Sequence, residues 1–156
     1  MQERESARVL VIDEASRILL VSSRDPDDDI VVWYTPGGRL EEGEDLRAAA
    51  LREIDEELGF QLEELTGPVW ERDFPHTFAG KSIDAHEWFF LSHVRASAIV
   101  DVAETGEGAR YFEGWRWWSI EELRAFDGIL APRRIADLLE PLLRGELPAA
   151  PITTGE

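Results

Sequence analysis

A mixed α/β domain is the fold class this sequence predicts, and three observations carry the prediction. Short apolar runs of strand length open the chain between residues 7 and 34. A segment with apolar residues at helical spacing, Leu46, Ala50, Ile54 and Leu58, follows them. Further strand-like runs then lead to two late helical segments, an alternation of elements that packs in layers around a sheet.

The first strand is expected over Ala7 to Asp13, where Val9, Leu10, Val11 and Ile12 form a near-continuous apolar run. A turn at Asp13–Ser16 leads to a second strand over Arg17 to Ser22, and the short polar connection makes the pair a hairpin. Arg24 to Asp29, with Pro26 and four aspartates, reads as a solvated loop. Alternating aspartates can bind Ca²⁺, but the glycine and terminal glutamate of an EF-hand loop are missing. A third strand, Ile30 to Tyr34, is stopped by Pro36-Gly37-Gly38. Asp45 is the expected N-cap of a helix reaching Leu58. Gly59 stands where a left-handed residue would close that helix.

Downstream, a strand is expected around Val69 to Arg72, then a loop or connection over Phe74 to Asp84. Ala85 to Val94 is apolar on both faces through Trp88, Phe89, Phe90 and Leu91, the pattern of a central strand covered on each side. Asp101 to Gly108 is an acidic loop, and Gly114 to Trp118 a strand. Ser119 caps a short helix with Glu122 in a capping box. Pro132 is expected to open a last helix through Ile135, Leu138, Leu139, Leu142 and Leu143. The domain is taken as residues 1–147, with 148–156 a tail lacking a strong structural signal.

A chain of 156 residues suits one domain with a sizeable core. Its net charge of −17 argues against a general binder of nucleic acid or anionic membrane, because no basic stripe is available for phosphates. Cysteine is absent, which excludes disulfides, thiolate metal sites and a Cys nucleophile. No apolar run reaches membrane-spanning length, and the polar start Met1–Ser6 does not resemble a signal peptide, so a cytoplasmic location is the default. An acidic protein acting on a phosphate compound needs a cation between the two.

The helix 46–58 supplies a place for one. Glu53, Glu56 and Glu57 stand at i, i+3 and i+4 and share a face, where like charges cost a few tenths of a kcal/mol per pair. A hard divalent cation such as Mg²⁺ removes that repulsion and suits carboxylate oxygens. A solvated acidic face is the plainer explanation of three glutamates alone. The surrounding string decides. Gly38, five residues, Glu44, seven residues, Arg52-Glu53-Ile54, one residue, Glu56-Glu57, one residue and Gly59-Phe60 resembles the Nudix box of the MutT-like pyrophosphohydrolases, with every fixed position filled.

The resemblance implies a Nudix fold, a mixed β-sheet sandwiched between α-helices, in element order from Ala7 to Arg144. The run Trp117-Trp118-Ser119-Ile120-Glu121-Glu122-Leu123 also looks like the late tryptophan and short helix of that family. It implies metal-dependent hydrolysis of the pyrophosphate bond in a nucleoside diphosphate linked to another group. Mg²⁺ is the implied cofactor, with Mn²⁺ as a substitute. Glu53, Glu56 and Glu57 become ligands or base, Gly37 a main-chain metal contact, and Arg52 a catalytic-site residue that orients a glutamate. Glu44 is structural, or simply a favourable charge at a helix N-terminus. The family's general base often lies outside the box; Glu104, Glu107 and Glu113 are the candidates, and Glu107 is carried as the catalytic one.

Arg24 and Arg39 are the expected substrate-phosphate contacts, from a wider set with Arg72, Lys81 and Arg110. Trp33, Tyr34, Phe78 and Phe112 could stack on a base, though strand aromatics are more often core. His76, His86 and His93 form no ligand cluster. Glu87, among apolar neighbours, needs a partner if buried. The expected partner is a small nucleoside diphosphate derivative, with no nucleic-acid polymer and no membrane; a homodimer is left open. The competing reading is a Nudix-fold binding or regulatory module without catalysis, which the intact glutamate pattern disfavours. Action on RNA caps is disfavoured by the acidity.

Overall fold

The polar opening of the chain is strand. In the computed structural model β1 spans Gln2–Ile12; residues 2–104 and 106–156 are described, with the side chains of Gln2, Gly106 and Glu107 outside that description. The sequence expectation began this strand at Ala7. Its extension is held by β6 (Lys81–His93), which runs parallel to β1 from Gln2↔Ile83 to Ile12↔His93. A full neighbouring ladder outweighs the poor apolar content of Glu3, Arg4 and Glu5, because strand preference is set by context.

β2 (Ile18–Arg24) returns antiparallel to β1, so the expected hairpin forms, with Ile12 opposite Ile18. β3 (Val31–Tyr34) pairs antiparallel with β2. The glycine turn is itself partly strand: β4 (Gly37–Arg39) lies against Ser6–Arg8 of β1. α1 (Leu46–Leu58) has the expected ends. The Asp45 side chain accepts from the Ala48 N–H, and Gly59 adopts the left-handed conformation with φ 74°.

β5 (Thr66–Phe78) and β6 form one long hairpin. Its distal half occupies the region expected as a loop or connection. The turn there is Ala79-Gly80, with φ 52° and 77°. Positive φ at both central positions suits the right-handed twist of a hairpin, but alanine at the first of them hides the signal. β7 (Phe112–Trp118) joins β2, and α2 (Ile120–Ala125) carries the Ser119–Glu122 capping box. α3 (Ile135–Leu143) starts three residues after Pro132 instead of at it, with Arg134 before its first turn. Two further strands are too short, at three and two residues, for a period to announce them. β8 (Ile129–Ala131) pairs parallel with β3, and β9 (Ile152–Thr153), inside the expected tail, pairs parallel with β5.

Among the described residues these strands join one mixed sheet in the order β8-β3-β2-β1-β6-β5-β9, with β4 on β1 and β7 on β2. Ala49, Ala50, Ile54 and Leu58 of α1 pack on one face with Val9, Val11, Leu19, Val21 and Phe90. Leu123 of α2 and Ile135, Leu139 and Leu142 of α3 pack on the other, with Leu10, Ile12, Ile18, Leu20, Trp70 and Phe89. Successive side chains of β1 thus serve two cores, which is why the run Val9–Ile12 is apolar throughout. The result is a sheet sandwiched between helices. Among the described residues no helix is long and apolar enough to cross a membrane.

Candidate active site

The site forms where the β3–β4 turn, the middle of β1 and the last turns of α1 meet. Gly37 has φ 141°, and a Cβ there would lie 2.2 Å from the Ala7 carbonyl oxygen. Only glycine allows the turn to lie this close to β1. At Gly38 a Cβ would lie 2.6 Å from the Glu53 carboxyl carbon. The turn therefore makes room for a glutamate of α1.

Of the three box glutamates, Glu53 and Glu57 are buried and Glu56 is exposed. Glu57 Oε2 accepts the Gly37 N–H at 3.0 Å. Burial, then the Glu104 carboxylate, pushes the Glu57 carboxyl up to about 9; Glu53 adds to this, while Arg8 and the Gly37 N–H oppose it. Burial likewise raises Glu53, against the pull of Arg52.

Arg52 stands at the centre of the box. Its Nε and one terminal nitrogen grip Glu44 in a fork, at 2.6 and 2.9 Å. Its other terminal nitrogen donates to Glu53 at 2.9 Å and to Glu56 at 3.3 Å. The Arg39 carbonyl takes a further bond at 3.0 Å. Glu44 also accepts the Glu41 N–H, and with Arg52 as the main cause its carboxyl falls to about 2. The structure thus gives Glu44 a partner in space rather than only a place near a helix end.

Among the late-loop glutamates, Glu104 is the one the described structure brings to this place. The Ala103 N–H donates to the Glu57 carbonyl at 3.0 Å, and Glu104 Oε1 accepts the Tyr34 hydroxyl at 2.8 Å. Ser23 Oγ lies 2.6 Å from the same hydroxyl. Burial, then Glu104, raises the Tyr34 phenol well above its usual range. The Tyr34 ring packs against the core on the α1 side of the sheet, the commoner of its two expected roles, and its hydroxyl in addition bonds the Glu104 carboxylate. Glu113 is turned away, forked to Arg24 at 2.7 and 3.2 Å. The side chain of Glu107 lies outside the described residues.

The expected phosphate contacts are dispersed. Arg24 is held by Glu113 and Asp29, and the Arg39 side chain is exposed at the end of β4. Arg72 is buried, its guanidinium 3.9 Å from the Phe74 ring centroid, and Arg110 stacks on Tyr111. Trp33 packs edge-on to Trp118 in the core. The three histidines sit apart, beside Phe74, Asp73 and Glu64.

One residue of the site escaped the sequence reading. Arg8 Nε donates to Glu87 Oε2 at 3.0 Å, and one of its terminal nitrogens reaches the carbonyls of Thr35 at 3.3 Å and Gly37 at 3.1 Å. Glu87, flagged as a carboxylate in need of a partner, has two: Arg8, and Arg72 at 3.6 Å. The arginine beside the apolar run Val9–Ile12, within the expected strand from Ala7, was the signal that could have found the pair.

Among the described residues the acidic side chains do not already converge as a three-ligand cluster. Glu53 and Glu56 turn to Arg52, Glu57 to Gly37, and Glu104 to Tyr34. What the arrangement offers is a set of hard oxygen donors around a two-glycine turn, with two carboxylates, Glu53 and Glu57, buried and raised by that burial.

Residues 2–139 match the family model described as NUDIX domain. An RNA pyrophosphohydrolase of Bradyrhizobium diazoefficiens is 32% identical over 115 residues, covering 67% of this chain and 67% of the relative. One from Novosphingobium aromaticivorans is 28% identical over 152 residues, covering 90% and 85%. Among solved structures, a MutT NUDIX hydrolase from Burkholderia pseudomallei superposes with a TM-score of 0.60 at 26% identity, covering 90% of this chain and 98% of that one.

Proposed function

This chain belongs to the NUDIX hydrolase family, and on that premise we propose that it hydrolyses the pyrophosphate bond of a nucleoside diphosphate linked to another group, with Mg²⁺ as cofactor and Mn²⁺ able to replace it. The observation that carries the reading is the Glu57 carboxyl, buried at the glycine turn and raised to about 9 beside Glu104. A carboxylate so short of positive charge suits a site that exchanges a proton for a hard cation. The donor set fits such an ion: Glu53, Glu56 and Glu57 would hold it, with the Gly37 carbonyl. When bound, the metal neutralises the pyrophosphate and lowers the pKa of a bound water.

The chain's own residues do the rest. Glu104 takes the proton of the attacking water as general base. Water attacks one phosphorus, and the bridging oxygen leaves with the other phosphate. Tyr34 and Ser23 orient Glu104 from behind. Arg52, anchored on Glu44, steers Glu53 and Glu56 through its remaining donors. Glu107, in the same loop, is the second candidate for the base. Arg39, exposed beside the turn, is the better placed of the two expected phosphate contacts, since Arg24 is already paired.

A second reading rests on the two relatives named RNA pyrophosphohydrolase. It makes the substrate a pyrophosphate bond carried by an RNA, against the acidity of the chain. One panel separates the readings: purified protein with and without Mg²⁺, given nucleoside triphosphates, dinucleoside polyphosphates, ADP-ribose, nucleotide sugars, NADH and a 5′-triphosphorylated RNA. Metal-dependent turnover of a small nucleotide in preference to the RNA supports the first. The reverse preference supports the second. No turnover of any substrate returns the chain to the class of binding modules.

A further inference from the structure

Gly37 lies between two main-chain groups that Arg8 holds, and Glu57 takes the N–H between them. Arg8 binds the Thr35 and Gly37 carbonyls with one terminal nitrogen, at 3.3 and 3.1 Å. These carbonyls belong to the peptide units 35–36 and 37–38. The unit between them, 36–37, carries the N–H that meets Glu57 Oε2 at 3.0 Å. The middle unit is tied to β1 through its Pro36 carbonyl, which accepts the Val9 N–H at 3.0 Å. Fixing the two outer units as well sets its remaining tilt, and with it the direction of the Gly37 N–H and carbonyl. Arg8 is itself fixed from behind: Glu87 Oε2 takes its Nε at 3.0 Å, and Glu87 Oε1 faces the buried Arg72 at 3.6 Å. The grip therefore runs from β5 through β6 and β1 to the turn.

We propose that Arg8 is a positioning residue: held by Glu87, it orients the Thr35–Gly37 main chain and so sets the Gly37 carbonyl and the Glu57 carboxylate for a divalent cation. The inference rests on the metal-dependent reading above. A carbonyl oxygen has two lone pairs, so the bond to Arg8 leaves Gly37 one acceptor position for a cation. A guanidinium suits this task because its planar fork directs separate donors to a carboxylate and to carbonyls.

The sign of one measurement separates positioning from charge. Removing a cation from beside a metal site would by Coulomb's law alone tighten metal binding; removing a residue that aims the ligands weakens it. The experiment is titration with Mn²⁺ in the absence of substrate, followed by electron paramagnetic resonance, on the full chain and on Arg8→Met, Arg8→Lys and Glu57→Gln. Melting curves on each variant keep the titration well below unfolding.

Arg8→Met is expected to bind Mn²⁺ about tenfold more weakly or worse, a loss of about 1.4 kcal/mol. Arg8→Lys, which keeps the charge and loses the fork, is expected to lose several-fold. Unchanged or tighter binding by Arg8→Met overturns the proposal, as does a lowered melting temperature with unchanged affinity. If Arg8→Met does not fold, Arg8→Lys decides alone: weaker binding supports the proposal and equal binding overturns it. Native affinity in Glu57→Gln would overturn the metal site itself, whereas loss there with full binding in the Arg8 variants overturns only the role of Arg8.

Discussion

Ala103 and Glu57 share a main-chain hydrogen bond, N–H to carbonyl at 3.0 Å. The carbonyls of a helix's last turn lack partners within the helix, so the late loop gains a bond by docking there. The same contact sets Glu104 beside Glu57, where it raises that carboxyl, and within reach of Tyr34.

Glu104→Gln should therefore lower kcat strongly with little change in KM. General-base catalysis contributes about 10²- to 10⁴-fold, and a loss of about 10²-fold or more is the expected result. Glu107→Gln, assayed in parallel, should lose less, because the contact at Ala103 orders the loop around its neighbour. A larger loss in the Glu107 variant would reassign the base. Tyr34→Phe removes one bond to Glu104 and should cost about tenfold in kcat, leaving the core contacts of the ring intact.

Stability should respond to pH through the same pair. Glu57 moves from about 4.5 when unfolded to about 9 in the folded, metal-free protein. A raised folded value means that the folded state keeps a proton which the unfolded state releases. Its contribution is complete below the unfolded pKa and is lost as pH rises through the folded one. Glu53, also raised, acts with the same sign. With chelator present, losing the Glu57 contribution should lower the melting temperature between about pH 4.5 and about pH 9, at no more than about 1.4 kcal/mol per pH unit for one proton. Glu57→Gln should flatten that slope, and added Mg²⁺ should offset it by taking the proton's place. A slope unchanged in the variant would show that Glu57 is not its source.

What the sequence made legible was whatever is local. The box lies on one helix and its flanking turn, so the period of α1 and the Asp45 and Gly59 caps declare themselves within a few residues. The two-sided burial of Phe89 and Phe90 is visible for the same reason. Partnerships across the sheet are not. Arg8 and Glu87 are 79 positions apart, and only the parallel register of β1 on β6 brings them together. Three late glutamates cannot be ranked by order in the chain; in the fold the Ala103 contact brings Glu104 beside Glu57, while Glu113 is forked to Arg24. Arg24 meets its partner Glu113 from 89 positions away, through the pairing of β2 with β7. The short strands β4, β8 and β9 are held by ladders with neighbours, so their own residues carry little of the signal.

The two glycines of the turn make the sharpest contrast between function and folding. At Gly38 an added Cβ would strike the Glu53 carboxyl group, at 2.6 Å. That carboxyl is the far end of a flexible side chain, so it can swing aside. Gly38→Ala should fold with a melting temperature near that of the native protein, yet lose activity by about tenfold or more as Glu53 leaves its place beside Arg52. At Gly37 the added Cβ would meet main chain instead, the Ala7 carbonyl at 2.2 Å and the Arg8 Cα at 2.7 Å, at a φ of 141° that side chains rarely adopt. Neither obstacle can move without separating β4 from β1. Gly37→Ala should therefore express poorly or melt well below the native protein, with a cost in the upper range for single substitutions, about 3 kcal/mol or more. Comparing soluble yield, melting temperature and kcat for the two variants checks the assignment. Equal stability loss in both would mean that Glu53 is held too rigidly to yield, and that Gly38 serves the fold as much as the site.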